Sequence, residues 1–408
     1  MSAPDSMSAG DTAWLLVSSA LVLLMIPALA LFYGGMVRRK NVLSTLMHSL
    51  AALPVLSIVW VLYGYSFAFG SSHGGIIGGF DFIGLRGTVG TLHDTVPSYA
   101  FIAFQMMFAA ITPALISGAV AERMKFSAYV VFIIAWSTLV YVPVAHWVWA
   151  TGGWLFELHA LDFAGGTVVH LTAGASALVC ALVLGPRLKY PQERPLPHNL
   201  TMTLTGAGLL WFGWFGFNAG SALKSTPLAA LAFLVTHLGA AGGALGWLFV
   251  EWWHRGKPTA LGVASGLVAG LVAITPAAGF VAPWAAIVIG FAAGLVCYLG
   301  VLAKYKYGYD DSLDAFGVHG VGGFTGALLT GVFAQTAYNP DGADGLLFGE
   351  VRPFLVQLVA CLVSGVYAAG VTWVLLKVID RAMGIRVSAT DEREGLDSTQ
   401  HGEDAYAG

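Results

Sequence analysis

Long stretches with almost no charged residue follow one another along most of the chain. Because a hydrocarbon layer about 30 Å thick requires roughly 20 apolar residues of helix to cross it, each stretch predicts a membrane-spanning helix. The eleven predicted spans are 12–36, 43–69, 98–121, 127–149, 162–186, 199–221, 227–250, 259–275, 280–303, 315–335 and 353–379. The predicted fold class is an all-α polytopic membrane protein, with residues 1–384 as the transmembrane domain and 385–408 as a polar tail.

The basic residues lie mainly in alternate connections between these spans. Of the 19 Lys and Arg residues, Arg86, Lys224 and Arg352 lie on one side of the predicted membrane, and the remaining 16 lie on the other. Basic residues are enriched in cytoplasmic connections. The pattern therefore predicts that the N-terminus is outside and that the tail is cytoplasmic, which agrees with an odd number of spans.

Two similar segments suggest an internal repeat. VHLTAG at 169–174 and VHGVGG at 318–323 lie in spans that are five apart and run in opposite directions. This indicates a pseudo-twofold inverted repeat of five helices, at about 12–186 and 199–335, followed by the final helix 353–379. Such repeats place the substrate path near the middle of the membrane, between the two halves.

Composition agrees with a chain that lies mostly in a membrane. The sequence is 57% hydrophobic and 10% charged, whereas soluble domains carry about 25% charged residues. Its 52 glycines favour close helix packing, because small residues let membrane helices approach one another. The three cysteines, Cys180, Cys297 and Cys361, lie in apolar segments and are expected to be reduced packing residues. Nothing in the sequence indicates a nucleic acid, a cofactor or a metal as partner.

Two histidines occupy equivalent places in the two repeated segments. Polar side chains are costly in hydrocarbon and tend to face a pathway or each other, so His170 and His319 are expected to line a pore. Two neutral imidazoles can share a hydrogen bond, because each has a donor and an acceptor nitrogen. A metal site is not favoured, since no Cys, Glu or further His lies near either motif in sequence. The other histidines in the spans, His48, His146 and His237, are expected to be packing residues.

Each of these two spans follows an aspartate, Asp162 or Asp314. Either carboxylate could cap the start of its helix, where free backbone N–H groups and the helix dipole favour an acceptor. Either could instead recruit a cation. Capping is the favoured interpretation, and Asp314 is expected to hold in the second repeat the position that Asp162 holds in the first.

Aromatic residues cluster in FQMMF at 104–108, HWVW at 146–149 and WFGWFGFNAGS at 211–221. Trp and Tyr at the ends of spans usually form interfacial belts. If Phe108, Trp149 and Phe217 instead meet at the outer mouth, their ring faces could bind a cation. Ser221 would then add a hydroxyl acceptor.

Several long segments resemble the ammonium transporter family, which comprises the Amt and Mep proteins with the Rh proteins as relatives. The similarity extends from the first span to the last and is weakest at 70–97 and 336–350. The segments that carry it are FYGGMVRRKNVLS at 32–44, AERMKFSA at 121–128, DFAGGTVVHLTAGASALVCALVLGPR at 162–187, GWFGFNAGSA at 213–222 and DAFGVHGVGGFTGALLTGVFA at 314–334.

The resemblance implies a homotrimer in the cell inner membrane, with one pore in each eleven-helix subunit. Phe108, Trp149 and Ser221 would form the outer vestibule that recruits ammonium, and Phe108 with Phe217 would form a gate below it. His170 and His319 would be the paired imidazoles of a hydrophobic ammonia pore, and Asp162 an important acid near the recruitment site. The composition of the acidic tail predicts that it is disordered. The resemblance instead implies that the tail packs under the trimer and binds a PII-type signal protein.

Net electrogenic ammonium uptake is the function that the resemblance implies, and three other functions are alternatives to it. A hydrolase using Ser221 and His170 is not favoured, because the two residues lie on different spans without a nucleophile-elbow motif. An ammonium sensor would be expected to carry a signalling domain, of which the 24 residues after Gly384 give no sign. A neutral ammonia or carbon dioxide channel of Rh type is the remaining alternative, and the cation-recruiting aromatic set argues against it.

Overall fold

The described residues form eleven apolar helices, which confirms the all-α membrane class. The computed structural model describes residues 6–192 and 196–406, so Arg194, one of the predicted cytoplasmic basic residues, lies outside the described residues. In this part of the chain ten helices are long and apolar enough to span a membrane, and α8 is a shorter apolar helix. The helices are α1 Ala9–Met36, α2 42–69, α3 Ser98–Val120, α4 126–149, α5 Gly166–Leu184, α6 Leu200–Gly220, α7 Pro227–Arg255, α8 Ala260–Ile274, α9 Pro283–Tyr307, α10 Phe316–Phe333 and α11 Val351–Met383.

Short elements cover the two ends of the helix bundle. Two antiparallel hairpins pair Ser72–His73 (β1) with Ile77–Gly78 (β2) and Leu92–His93 (β3) with Val96–Pro97 (β4). We call the end with these hairpins the loop face, and the opposite end, where residues 385–406 lie, the tail face. The remaining short elements are 3₁₀ turns at Arg39–Asn41, Ile83–Leu85 and Leu346–Phe348, a helix at Trp154–Glu157, α12 at Ala389–Glu394 and a π turn at Asp397–His401.

Glycines allow the two halves of the chain to pack backbone against backbone. The first helices of the two predicted repeats, α1 and α6, lie along each other, and α5 crosses α10. A Cβ atom at Gly174 of α5 would overlap the backbone of Gly320 of α10, and one at Gly206 of α6 would overlap the backbone of Phe32 of α1. Both contacts therefore require glycine, as expected for tightly packed membrane helices.

The helices α5 and α10 both begin with a turn of π-helix that contains a predicted pore histidine. These turns are Gly166–Leu171, with His170, and Phe316–Gly320, with His319. The start of α5 is capped by Asp162, as the sequence predicts. Its carboxylate accepts hydrogen bonds from four successive backbone N–H groups, those of Gly165 (2.8 Å), Gly166 (2.6 Å), Thr167 (2.9 Å) and Val168 (3.0 Å).

The equivalent cap of α10 is Asp311, and the prediction that Asp314 holds this position is wrong. The Asp311 carboxylate accepts from the backbone N–H groups of Ala315 at 3.1 Å and Phe316 at 2.8 Å. Asp314 has a left-handed backbone, with φ of 63°, and its carboxylate forms an ion pair with Lys304. The Asp314 carboxylate is therefore held by the Lys304 ammonium group, while Asp311 binds the free N–H groups of the first turn.

A buried ion cluster joins the chain connections at the tail face. The Glu122 carboxylate accepts from the guanidinium groups of Arg38 at 2.9 Å and Arg187 at 2.8 Å, and Arg187 also donates to Asp310 at 2.8 Å. Burial raises the pKa of Glu122, but the two guanidinium groups outweigh it and hold this pKa at about 2. Glu122 is therefore ionised, and its charge is compensated by hydrogen-bonded partners.

The tail is ordered and docked on the tail face, and is not disordered as its composition alone suggests. It reaches connections that follow α1, α3 and α5, so one short segment contacts widely separated parts of the sequence. The contacts are Lys125 N to Ile385 O (2.9 Å), Val387 N to Arg123 O (3.0 Å), Leu188 N to Glu392 Oε1 (2.6 Å), Leu396 N to Asn41 Oδ1 (2.8 Å) and Ser44 N to Asp397 Oδ1 (2.8 Å).

Replacing each aspartate by asparagine tests the assignment of the caps. Hydrogen bonds to a charged group contribute about 1.5–3 kcal/mol each, so the midpoint of thermal unfolding should fall most for Asp162→Asn and less for Asp311→Asn. Asp314→Asn should change it least, because that carboxylate caps no helix. Intrinsic tryptophan fluorescence of the purified protein in detergent measures the midpoints. A loss for Asp314→Asn as large as that for Asp311→Asn would contradict the assignment.

Candidate substrate pathway

A wide cavity opens at the loop face and brings together the three residues expected to form a vestibule. The cavity has a volume of about 630 Å³, and Phe108, Trp149 and Ser221 all line it. The ring of Trp149 stands perpendicular to that of Phe108, with 6.0 Å between centroids. The Trp149 indole N–H donates to the backbone carbonyl of Asp162 at 2.9 Å, and the Ser221 hydroxyl donates to the carbonyl of Phe217 at 2.9 Å.

Two stacked phenyl rings lie between this cavity and the interior. The centroids of Phe108 and Phe217 are 4.3 Å apart, and the planes are tilted by 33°. Both side chains are almost fully buried. Phe108 lines the wide cavity and Phe217 lines a second, narrow one, so the pair has the position expected of a gate.

The narrow cavity contains both predicted pore histidines. Its volume is about 10 Å³, which is at the lower limit for a single water molecule. His170 and His319 are buried, their rings are nearly parallel at 5.3 Å between centroids, and their Nδ1 atoms are 3.3 Å apart. The other lining residues are Met25, Leu29, Phe32, Ile111, Leu115, Val169, Leu210, Trp214, Phe217 and Val268.

The short distance between the two Nδ1 atoms constrains the protonation of the pair. One nitrogen must donate and the other must accept, which two neutral imidazoles can do and two imidazolium groups cannot. The His170 Nε2 atom has no hydrogen-bond partner among the described residues. The pair therefore has polar capacity left for a small solute in a passage that is otherwise apolar.

Trp214 is a pathway residue that the sequence analysis did not single out. Its ring stacks on His170 at 5.4 Å between centroids and an angle of 21°, and its N–H donates to Thr275 Oγ1 at 2.9 Å. Trp214 lies three residues before Phe217 on α6, and residues at this spacing share a helix face. That spacing, within the GWFGF segment, was the signal that could have identified it.

The predicted acids do not line either cavity. Asp162 positions a residue of each cavity without lining either one. Its carboxylate caps the helix that carries His170, and its backbone carbonyl accepts the hydrogen bond from the Trp149 indole. Asp314 lies at the tail face, paired with Lys304. Among the described residues, no group of three or more His, Cys, Asp or Glu side chains could hold a metal ion.

The histidines expected to be packing residues behave differently from one another. His146 is buried and satisfied at both nitrogens, by the carbonyl of Ala68 at 2.8 Å and the hydroxyl of Ser72 at 2.8 Å. His48 is buried, with Nδ1 2.6 Å from the Ser44 carbonyl. His237 departs from the prediction, because it is exposed on α7 and stacks on Trp211. The three cysteines are free and buried, as predicted.

Comparison with known proteins gives matches along the whole chain. Residues 13–406 match the sequence profile of the Ammonium Transporter Family. The chain is 52% identical over 404 residues to the ammonium transporter of Bacillus subtilis (strain 168), covering 98% of this chain and 99% of the relative. It is 46% identical over 400 residues to ammonium transporter Amt1 of Archaeoglobus fulgidus, covering 98% and 100% of the two chains.

Solved structures show the same arrangement of helices. Saccharomyces cerevisiae Mep2 matches with a TM-score of 0.89 and 38% identity, covering 94% of this chain and 89% of that chain. A protein described as a sensor Amt protein matches with a TM-score of 0.89 and 29% identity, covering 96% and 98%. Sequence and fold agree, and the chain belongs to the ammonium transporter family.

Proposed function

We propose that this protein transports ammonium into the cell across the inner (plasma) membrane. The observation that carries the proposal is the order of residues along one path: an aromatic cavity, a stacked phenyl pair, and a narrow apolar passage with two imidazoles. The loop face would be extracellular and the tail face cytoplasmic, since the basic residues concentrate in the connections at the tail face.

Recruitment would take place where Phe108, Trp149 and Ser221 meet. Aromatic faces attract cations by about 0.5–2 kcal/mol, and more when the site is desolvated. The Ser221 hydroxyl donates to a carbonyl, so its oxygen lone pairs remain available to an ammonium N–H. This site would concentrate the cation by aromatic rings and a hydroxyl group. A carboxylate in the same place would bind the cation more tightly and slow its release to the gate.

Ammonium would lose its proton, and with it its charge, at the phenyl gate. Moving an intact ion into an apolar passage costs tens of kcal/mol by Born solvation, and ammonium avoids most of this by losing a proton. Ammonia then crosses the narrow cavity, where His170 and His319 offer hydrogen bonds without a fixed charge. Potassium has a similar size but has no proton to lose, so the same passage excludes it.

Net uptake would be electrogenic, with the released proton crossing by a separate route. The vestibule supports this over the neutral ammonia or carbon dioxide channel, since a neutral gas has no use for a cation site. The match to a protein described as a sensor keeps an ammonium sensor as the second candidate. A measured current separates all three functions.

The test is the current of the purified protein in liposomes on a solid-supported membrane, with matched pulses of ammonium and potassium. We expect current for ammonium alone, and for His170→Ala at least a tenfold loss or a loss of selectivity against potassium. His254→Ala, an exposed histidine at the end of α7, is the control and should behave as the native protein. Ammonia flux seen by internal pH without current would indicate the neutral channel, and neither flux nor current would indicate the sensor.

We also infer a homotrimer, supported by the exposed face that α6 and α7 form. His237 is exposed on this face and stacks on Trp211 at 5.1 Å between centroids. It lies ten residues into α7, about 15 Å along the helix axis, which is close to the middle of the hydrocarbon. An imidazole in contact with lipid at this depth is costly, so this face is suited to contact with another subunit.

An arginine on this face should disrupt the trimer. Phe233→Arg replaces one ring of the Phe215–Phe233 stack, whose centroids are 4.0 Å apart, with a charged side chain. Val366→Arg, on the exposed face of α11, carries the same cost of membrane insertion and should leave the trimer intact. Native mass spectrometry should show three chains for the native protein and for Val366→Arg, and single chains for Phe233→Arg. A native monomer, or equal loss in both variants, would refute the proposal.

The docked tail supports a third proposal, that a PII-type signal protein binds at the tail face. Residues 385–406 form part of that face, and Asp397 fastens them to the start of α2. A partner that covers the inner mouth would therefore contact the tail and the connections together.

Releasing the tail should weaken this binding. Asp397→Ala removes the acceptor of the Ser44 N–H and should lower the affinity of a purified PII-type protein at least tenfold in biolayer interferometry. Asp341→Ala, an exposed aspartate at the loop face, is the matched control and should leave the affinity unchanged. Equal affinities for both variants would show that the tail does not take part.

A further inference from the structure

The outer side of α11 carries an exposed groove near the tail face. The groove has a volume of about 340 Å³, and six residues of α11 line it: Trp373, Val374, Lys377, Val378, Arg381 and Ala382. All six are exposed although the tail is docked. The helix α11 packs against α4, α5 and α10, whereas the face proposed for the trimer is formed by α6 and α7. This α11 groove is therefore open to the surrounding membrane.

The polar groups of the α11 groove have no partner in the part of the protein that the structure describes. Trp373, Lys377 and Arg381 follow one another at intervals of four residues, so they share one side of the helix. The Lys377 ammonium and the Arg381 guanidinium form no ion pair or hydrogen bond with another described residue, and the Trp373 indole N–H has no acceptor there. The neighbouring carboxylate of Asp380 accepts instead from the backbone N–H of Ile385 at 3.1 Å. Two cations four residues apart on a helix repel each other, so an anion between them would be stabilising.

The usual reasons for basic residues at a helix end explain only part of this pattern. The helix dipole favours a cation in the last turn, which accounts for Arg381. Lys377 lies more than one turn before the end of the helix at Met383, where the effect of the dipole is weak. The last turn also receives a cation from the start of α4, because the Lys125 ammonium donates to the carbonyl of Met383 at 3.0 Å. The enrichment of basic residues at the tail face does not require that two of them share one side of a helix.

An exposed apolar strip continues from the α11 groove toward the middle of the helix. Leu362, Val366 and Trp373 are 51%, 72% and 54% exposed, and their spacing places them on the same side of α11 as Lys377. This side of the helix thus changes from apolar to cationic toward the tail face. A phospholipid has the same order of groups, with acyl chains followed by a phosphate. A free anion would match only the two cations, and a soluble protein would have no access to the apolar strip.

We propose that the α11 groove binds an anionic phospholipid of the leaflet at the tail face. The phosphate would lie between Lys377 and Arg381, where the guanidinium can donate two parallel hydrogen bonds and the ammonium can donate a third. The Trp373 N–H would donate to an ester oxygen of the lipid, as amphipathic rings do at the boundary of the hydrocarbon. Basic groups next to a membrane helix attract anionic head groups in this way. The proposal is independent of the solute that the protein transports.

The experiment is native mass spectrometry of the protein purified in detergent and titrated with anionic phosphatidylglycerol or with zwitterionic phosphatidylcholine. We expect the first phosphatidylglycerol to bind at least tenfold more tightly than phosphatidylcholine. The double variant Lys377→Gln, Arg381→Gln should lose at least tenfold in affinity for phosphatidylglycerol and keep its affinity for phosphatidylcholine. The control is Lys257→Gln, Lys306→Gln, which removes the same charge from exposed positions at the tail face and should match the native protein.

The outcomes separate a site from a general attraction of charge. Equal losses in the two double variants would show only such an attraction and would refute the site, as would equal affinities of the native protein for the two lipids. Displacement of bound phosphatidylglycerol by excess inorganic phosphate would show a site for a free anion and would refute the lipid assignment. If the double variant of the groove does not fold, as judged by tryptophan fluorescence, Lys377→Gln alone replaces it, with an expected loss of about fivefold.

Discussion

The proposed pathway depends on the contact between α5 and α10, where two helices meet backbone to backbone. Gly174 and Gly320 leave no room for a Cβ atom at the crossing, and each helix carries its histidine in the π-helical turn at its start. This closeness sets the 3.3 Å separation of the two Nδ1 atoms. A wider crossing would leave two separate imidazoles in hydrocarbon, each with unsatisfied nitrogens, in place of a hydrogen-bonded pair.

The starts of these helices are fixed by carboxylates that do not touch the pathway. Asp162 binds four backbone N–H groups and so orders the turn that carries His170, while its own carbonyl holds the indole of Trp149. One residue thus sets the relative positions of side chains that line the wide and the narrow cavity. Any effect of Asp162 on the proposed transport is therefore inseparable from its effect on the local fold, and because its carboxylate lines neither cavity, a positioning role is favoured over direct recruitment.

Much of this organisation could be predicted from the sequence, because membrane helices leave clear signals. Charge-free runs predicted the eleven helices. The cap of α10 was assigned to the wrong aspartate, although the spacing could have corrected it: Asp162 lies eight residues before His170, and Asp311, not Asp314, lies eight residues before His319. The spacing of Trp214 from Phe217 could have placed it on the same helix face, but its stacking on His170 could not be predicted, because that contact joins helices that are distant in sequence.

The docked tail has a consequence for the biosynthesis of the chain. Ser44, at the start of the second helix, donates its backbone N–H to Asp397, which lies 353 positions later. The ribosome adds residues in order, so this bond cannot form until Asp397 has been made and has left the ribosome. The tail face therefore stays incomplete throughout insertion, and a prematurely terminated product keeps exposed N–H groups at the start of α2. Completion of the tail face thus distinguishes the finished protein from a truncated one.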